Sequence, residues 1–357
     1  MHLLILRFSA MGDVALLVPV LSALAGKYSN IRMTLVTRRA FEPFFFNIPG
    51  VEVIGVDLKQ PQYRGLKGIY RLFRELRVLG PYDFGIDVHG STRSRILKFL
   101  FKFQGLKFSS IVKGRREKLK QTRRKRKKLY PLPHVVERYM HVFERAGFHA
   151  KPDKGPWISP DTRSRALATD FLKKNDIGRK EGYWIGIAPF AGHRPKTWPF
   201  VHVHELVSLL NRNMKCRIFL FGGGKQEIEQ LKILEESFPN VTTMVAGNLN
   251  IEGEMALIMR MDLMVAMDSF NMHIAALLGT KVLSIWGATH HFSGFGPYGQ
   301  DEKAIMEVPV EKLPCRPCSI FGNKKCYRRD LACMNWITPL EVFRRIESRL
   351  LERNRPV

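Results

Sequence analysis

The chain has 357 residues, 45% of them apolar and 25% charged, which excludes a disordered or fibrous protein and leaves room for two hydrophobic cores. Its 58 Lys and Arg stand against 32 Asp and Glu, a formal net charge of +26 that points to polyanionic company: nucleic acid, nucleotide phosphates or an anionic membrane face. The longest apolar stretch, 14–25, falls short of the roughly 18 residues that a membrane-crossing helix needs.

Residues 2–8 (HLLILRF) read as a buried strand, followed by Gly12-Asp13 and a helical stretch over 14–25 closed by Gly26. Ala23-Leu24-Ala25 resembles a signal-peptidase site, but Asp13 sits directly before the apolar stretch and the residues upstream form a strand pattern, so a cytosolic protein is expected. Strand patterns follow at 31–38, 51–57 and 82–90, with a helical segment over 64–79, an alternation that signals βαβ units and a parallel sheet. Residues 113–128 hold eleven basic residues and one acid, a charged loop or helix end. The Pro- and Gly-bearing stretch 150–161 lacks hydrophobic periodicity and leads toward a domain join. Strands resume at 184–190, 216–224, 241–247, 262–268 and 281–287, and a closing helix opens with Thr338-Pro339 as cap and first-turn proline. The expected fold is α/β, with Rossmann-like domains over 1–165 and 166–337 and a terminal helix over 338–357. Two such halves facing across a cleft would gather their ligand-binding loops at the carboxyl ends of the strands.

Several of those loops carry chemistry. Asp13 is the only acid in the first thirty residues, a candidate base or, more plainly, the N-cap of the following helix. Asp268 and Ser269 fall between a buried strand and the first turn of a helix, where free N–H groups suit a phosphate, and His273 lies one turn further in; a capping residue with a packed histidine reads equally well. His193, Arg194 and Lys196 form a cationic set suited to a diphosphate. The glycine turn containing Gly223 would let a ligand approach the backbone, with Glu227 on ribose hydroxyls, or would serve only as a turn. Arg64, Lys67, Arg71 and Arg74 recur on one side of the 64–79 helix, either against an anionic leaflet or as a solvated face. Cys315, Cys318, Cys326 and Cys333 have the spacing of a small tetrathiolate zinc knuckle, with a reduced packing cluster or an adventitious disulfide as the alternatives; Cys216 belongs to a strand core.

From RFSAMGDVALLVPVL to the CRPC segment the chain resembles the lipopolysaccharide heptosyltransferases, GT-B enzymes that move heptose from ADP-heptose onto the growing inner core. The resemblance implies Asp13 in S-x-M-G-D as the base, Lys196 in K-T-W-P on the donor diphosphate, and Asp268, Ser269 and His273 in a D-[ST]-G-x-x-H donor loop. Glu227 matches only by its place after the glycine turn. Gly12, Arg93 and Arg95 would face the acceptor, the two arginines against acidic Kdo or phosphate groups. The sequence departs from the pattern at Phe270, where a glycine is usual, and at Thr289-His290-His291, in place of T-x-P. No D-x-D pair occurs, so no cofactor is required on this reading, and Lys196 with helix amides would neutralise the leaving diphosphate. One base and no second carboxylate imply a single displacement with inversion. The implied partners are an ADP-sugar, a lipid-linked saccharide acceptor and the anionic inner leaflet, with the enzyme cytoplasmic and peripheral on the inner membrane. A GT-B transferase using another nucleotide sugar remains the nearest alternative. A nucleic-acid-binding protein with a zinc knuckle is the more distant one, because the basic tract has no Phe, Tyr or Trp to stack bases.

Overall fold

The alternating apolar segments build two wholly parallel sheets, each layered with helices, in a computed structural model that describes residues 1–178 and 181–352. The chain divides into two compact units: Met1–Lys113 with Pro133–Ile158, and Gly114–Leu132 with everything from Ser159 onward.

In chain order the first part reads β1 (His2–Leu6), α1 (Met11–Ala15), α2 (Val18–Lys27), β2 (Arg32–Thr37), β3 (Val51–Gly55), α3 (Gly65–Val78), β4 (Phe84–Asp87), α4 (Thr92–Phe103), β5 (Phe108–Ser110), α5 (Arg115–Gln121) and α6 (Val135–Glu144). The sheet order is β3-β2-β1-β4-β5, with Leu6 in register with Val36 on one side and Asp87 on the other. β1 is buried along its length, and Leu4, Leu6, Val36, Leu72, Phe73, Leu97 and Phe101 form part of one core cluster. The single helix expected over 14–25 is two helices. Pro19 has no N–H for the carbonyl four residues back, so the first helix stops and Pro19 falls in the opening turn of the second. Gly26 lies inside α2 rather than closing it.

The second unit contains α5 and continues with α7 (Thr162–Lys174), β6 (Tyr183–Ala188), α8 (Phe200–Asn213), β7 (Cys216–Leu220), α9 (Lys225–Ser237), β8 (Thr242–Met244), α10 (Ile251–Ile258), β9 (Leu263–Met267), α11 (Phe270–Leu277), β10 (Val282–Trp286), β11 (Ile305–Glu307), α12 (Ala332–Asn335) and α13 (Pro339–Leu351). Its strands run β11-β10-β9-β6-β7-β8. Ile185, Ile187, Val265, Leu283 and Ile285 pack with Leu206, Val207, Val342 and Ile346 from the flanking helices. Thr338 caps α13 through a reciprocal pair with Glu341, as the Thr-Pro signal implies. Residues 353–357 of the expected terminal helix lie outside the described residues.

The boundary falls between Ile158 and Ser159, not at 165, because Asp161 caps α7 and keeps that helix whole within the second unit. The basic run also groups with the second unit rather than with the residues around it. Its anchor is Gln121, which is fully buried, donates to Tyr130 O and Phe292 O and accepts from Ser293 Oγ.

Candidate active site

In each sheet the chain reverses direction beside its first strand: β4 returns next to β1, and β9 returns next to β6. Loops leaving the two strands at such a point splay apart and leave a crevice at their carboxyl ends. Every residue with a strong claim to chemistry lies at one of these two points.

In the first unit, Arg7 follows β1 with its side chain buried. Its Nη1 donates to Val88 O (2.6 Å) at the end of β4, and its Nη2 meets Asp13 Oδ2 at 2.8 Å. The guanidinium lies 5.5 Å from the centre of the Tyr139 ring, whose hydroxyl donates to Asp13 O. Ala10, not Asp13, is the N-cap of α1, and it makes no side-chain cap bond. Asp13 is the third residue of the helix, so its carboxylate is held by Arg7 instead of being spent on capping. Opposite, after β4, His89 contacts Ser9 Oγ and Ser91 Oγ (3.4 and 3.1 Å). Burial, together with the charges of Arg7 and Lys113, pushes its imidazole down to about 4, so it is neutral at physiological pH. Gly12 sits in the same turn as Asp13. Arg93 donates to Tyr63 O (2.9 Å), while Arg95 is exposed on α4.

In the second unit, Lys196 ends the short 3-10 turn Arg194–Lys196 after β6. Its ammonium lies 3.0 Å from Asp268 Oδ2, just past β9, and both side chains are at least 85% buried. Thr289 Oγ1, past β10, donates to the same carboxylate oxygen at 2.7 Å. Ser269 is the N-cap of α11, but its hydroxyl makes no cap bond and is buried with no hydrogen-bond partner among the described residues. His273 is buried one turn into the helix. His193 and Arg194 are exposed beside Lys196. Glu227 Oε2 accepts from Gly223 N (2.8 Å) and so braces the glycine turn, where Gly224 has φ +82°.

Thr289, which the sequence marked only as part of a departure from T-x-P, and Arg316 and Gly322, which it did not single out, hold this arrangement in place. Thr289 orients Asp268. Arg316, fully buried, donates to Gly287 O, Val308 O and Thr289 O and pairs with Glu307 at 2.8 Å. Gly322, with φ +76°, lies so close to the Lys196 stem that an added Cβ would come within 2.4 Å of Lys196 Cδ. In the first unit Arg7 was likewise not singled out, although it carried a sequence signal as a lone cation ending an apolar strand ahead of Gly-Asp.

The cysteines are all reduced. Cys315, Cys318, Cys326 and Cys333 line one cavity of roughly 10 Å³. Among the described residues, the group whose ligand atoms all lie within 4.8 Å of one another is not this set but His290, His291 and Glu307. Burial alone would raise the Glu307 carboxyl, yet hydrogen bonds from His290 and His291 and the Arg316 charge hold it well below the usual carboxylate range. A buried guanidinium already on that carboxylate takes the place of a cation there.

Among the described residues, no helix is long and apolar enough to cross a membrane. The chain matches the family model "Glycosyltransferase family 9 (heptosyltransferase)" over residues 69–322. It is 27% identical over 323 residues to the lipopolysaccharide core heptosyltransferase OpsX of Haemophilus influenzae, covering 89% of this chain and 88% of that one. A family 9 glycosyl transferase from Veillonella parvula superposes with a TM-score of 0.75 at 19% identity, covering 98% and 97% of the two chains. The E. coli heptosyltransferase WaaC with ADP superposes at 0.67 with 23% identity, covering 98% and 100%, and is also known with ADP-2-deoxy-2-fluoro heptose.

Proposed function

Because the chain belongs to glycosyltransferase family 9, with the GT-B fold of its structural neighbours, we propose that this heptosyl-transferring enzyme moves heptose from ADP-heptose onto a lipopolysaccharide inner-core acceptor with inversion. The observation that carries this reading is Lys196, a buried ammonium at the reversal point of the second sheet, beside a Ser269 hydroxyl with no protein partner among the described residues. Such a site offers a charge and a hydroxyl to a diphosphate, with the first-turn N–H groups of α11 supplying further donors. The neighbours bound to ADP and to an ADP-heptose analogue support that donor.

Asp13 takes the proton of the acceptor hydroxyl as its oxygen bonds to the anomeric carbon. The bond from that carbon to the diphosphate breaks on the opposite face, and ADP leaves with the electron pair. Arg7 holds one carboxylate oxygen of Asp13 and so fixes the direction of the other. As negative charge grows on the departing diphosphate, Lys196 exchanges part of its pairing with Asp268 for the phosphate oxygens, an interaction stronger in the transition state than before it. No step requires a metal.

The acceptor reading rests on cationic Arg93 and Arg95, and membrane association rests on the exposed faces of α3 and α4. The decisive experiment supplies purified enzyme with a Kdo-bearing lipid acceptor and a panel of ADP-, UDP- and GDP-sugars, following the nucleotide released. ADP release from ADP-heptose, with an inverted anomeric configuration in the product by NMR, is expected. Release of UDP or GDP would assign a different donor, and a retained configuration would remove the single displacement.

A further inference from the structure

The basic run, read from sequence as a charged loop or helix end, is in the structure one wall of a cavity. Thr122, Arg123 and Arg124 face Pro314, Cys315, Cys318, Lys324, Lys325 and Tyr327 around a volume of about 290 Å³. Both walls belong to the second unit. Four of the lining residues are cations and none is a carboxylate. None is among the residues placed at the donor: Lys196, Asp268, Ser269 and Thr289 lie elsewhere.

Like charges brought together at a cavity repel, and an unanchored basic loop would swing them apart into solvent. This one is anchored at several points. Lys127 Nζ donates to Pro314 O, Arg316 O and Pro317 O at 2.9, 2.5 and 3.1 Å, pinning the basic run to the backbone of the opposite wall. Lys118 lies 4.5 Å from the Phe295 ring centre, and Arg124 packs its guanidinium 4.4 Å from the centre of the Tyr327 ring. Leu132 N donates to Phe292 O at the far end of the segment. The fold thus holds the backbone of the basic run against the opposite wall, with Arg123, Arg124, Lys324 and Lys325 exposed around the cavity, and a bound polyanion would relieve their repulsion. Guanidinium groups match phosphate oxygens in pairs, and the Lys ammoniums and the Thr122 hydroxyl add donors around the same volume. The volume is at the low end of the range for small-molecule sites, enough for a sugar-sized body with its phosphates.

We propose that this cavity is a second anion-binding site, distinct from the donor site, that takes phosphoryl groups carried on a saccharide or as the free anion. The inference stands on the cavity alone and is independent of which sugar the enzyme transfers. Calorimetry on the full chain saturated with ADP tests it with two probes, glucose 1,6-bisphosphate and inorganic pyrophosphate, at fixed ionic strength. Saturable binding is expected beside bound ADP, weakened at least tenfold by Arg123→Glu with Lys324→Glu, while the ADP affinity of the variant stays within about twofold. Arg123→Gln with Lys324→Gln removes the charges without reversing them and should weaken the probe in the same direction, which guards against a folding defect in the first variant. Tighter binding of the sugar bisphosphate assigns the site to a phosphorylated saccharide; equal affinity assigns it to the free anion. Failure of both probes to bind in the presence of ADP, or binding unchanged in both variants, overturns the proposal.

Discussion

Asp13 carries the mechanism, and capping and catalysis differ in what asparagine preserves. Its carboxylate is turned toward Arg7 and not toward the helix N-terminus, so Asp13→Asn removes a base and leaves the cap untouched. Turnover should fall by roughly 10²-fold or more, the usual worth of a general base, with ADP affinity nearly unchanged; the melting temperature should fall as well, because the buried Arg7 loses its paired charge. Retention of more than about a tenth of the activity would refute the base. Gly322→Ala tests the support of Lys196 from behind: a β-carbon at φ +76° is strained and collides with the lysine stem. Weakened ADP binding is expected, with Lys196→Ala as the reference for full loss. An ADP affinity equal to wild type would mean that the stem yields and Gly322 does not position the ammonium. His89 supplies the acid response of the first unit. Its folded pKa of about 4 lies below the ordinary 6.5, so between these values the unfolded chain binds a proton that the folded chain refuses. The stabilisation is complete above 6.5 and lost as pH falls toward 4. In urea titrations at pH 7.0, 5.5 and 4.5, His89→Asn should flatten this loss; equal slopes for variant and wild type would remove His89 as its source.

Among the elements, α10 responds to pH with the opposite sign. Burial pushes the Glu254 carboxyl up to about 8, so the folded chain keeps a proton that the unfolded chain releases from about pH 4.5 upward. Stability from this group falls as pH rises toward 8, and Glu254→Gln should therefore be more stable than wild type at pH 8.5 and nearly equal to it at pH 5. The pair α3 and α4 presents a different surface. Phe73 and Phe101 meet edge-to-face on the buried side, at 4.8 Å. The outward side shows Leu66, Tyr70, Phe99 and Phe103 among Lys67, Arg71, Arg74, Arg95 and Lys102. Exposed apolar groups among cations suit the headgroup level of an anionic bilayer. Replacing Phe99 and Phe103 by Asp should weaken sedimentation with phosphatidylglycerol vesicles by about tenfold or more, given the usual worth of burying such side chains. Undiminished binding would move the contact elsewhere. These helices also show what sequence can convey. The 64–79 pattern was legible because its period matched the buried residues Ile69, Leu72, Phe73 and Leu76. The three-residue strands β5 and β11 gave no such signal, whereas β8, equally short, was legible because the buried Val241, Val245 and Ala246 extend its apolar run.

At the scale of the whole molecule, the two sheets were legible because their central strands β1, β6 and β9 are runs of buried residues between loop signals, and the loops that follow them carry Asp13, Lys196 and Asp268. What stayed hidden is whatever depends on long-range pairing. Nothing in the sequence around Arg316 shows that it is fully buried against carbonyls contributed from Gly287 to Val308. Nothing in a run of lysines shows that it joins residues far ahead of it in the chain. The cysteine spacing shows the same limit: it does not reveal that Arg316, between Cys315 and Cys318, is fully buried, or that all four cysteines line one cavity.

That distant pairing has a consequence for how the protein is made. Gln121 finds its partner Ser293 172 residues later. At about 5–20 residues per second, synthesis leaves the interval open for roughly 10–35 s after Gln121 has been added. Through that time the eleven basic residues of 113–128 have no surface on which to fold, although the strands of the first unit before them are complete. The nascent chain therefore passes through a stage at which it is a folded sheet trailing a polycation, exposed to proteases and to ribosomal RNA. Arrested chains ending before residue 292 should be cut by trypsin within 115–128 faster than the finished protein, in which Gln121 and Lys127 tie the segment down. Maturation is then timed by the arrival of the last fifth of the sequence, which converts a liability of the growing chain into the wall of a cavity.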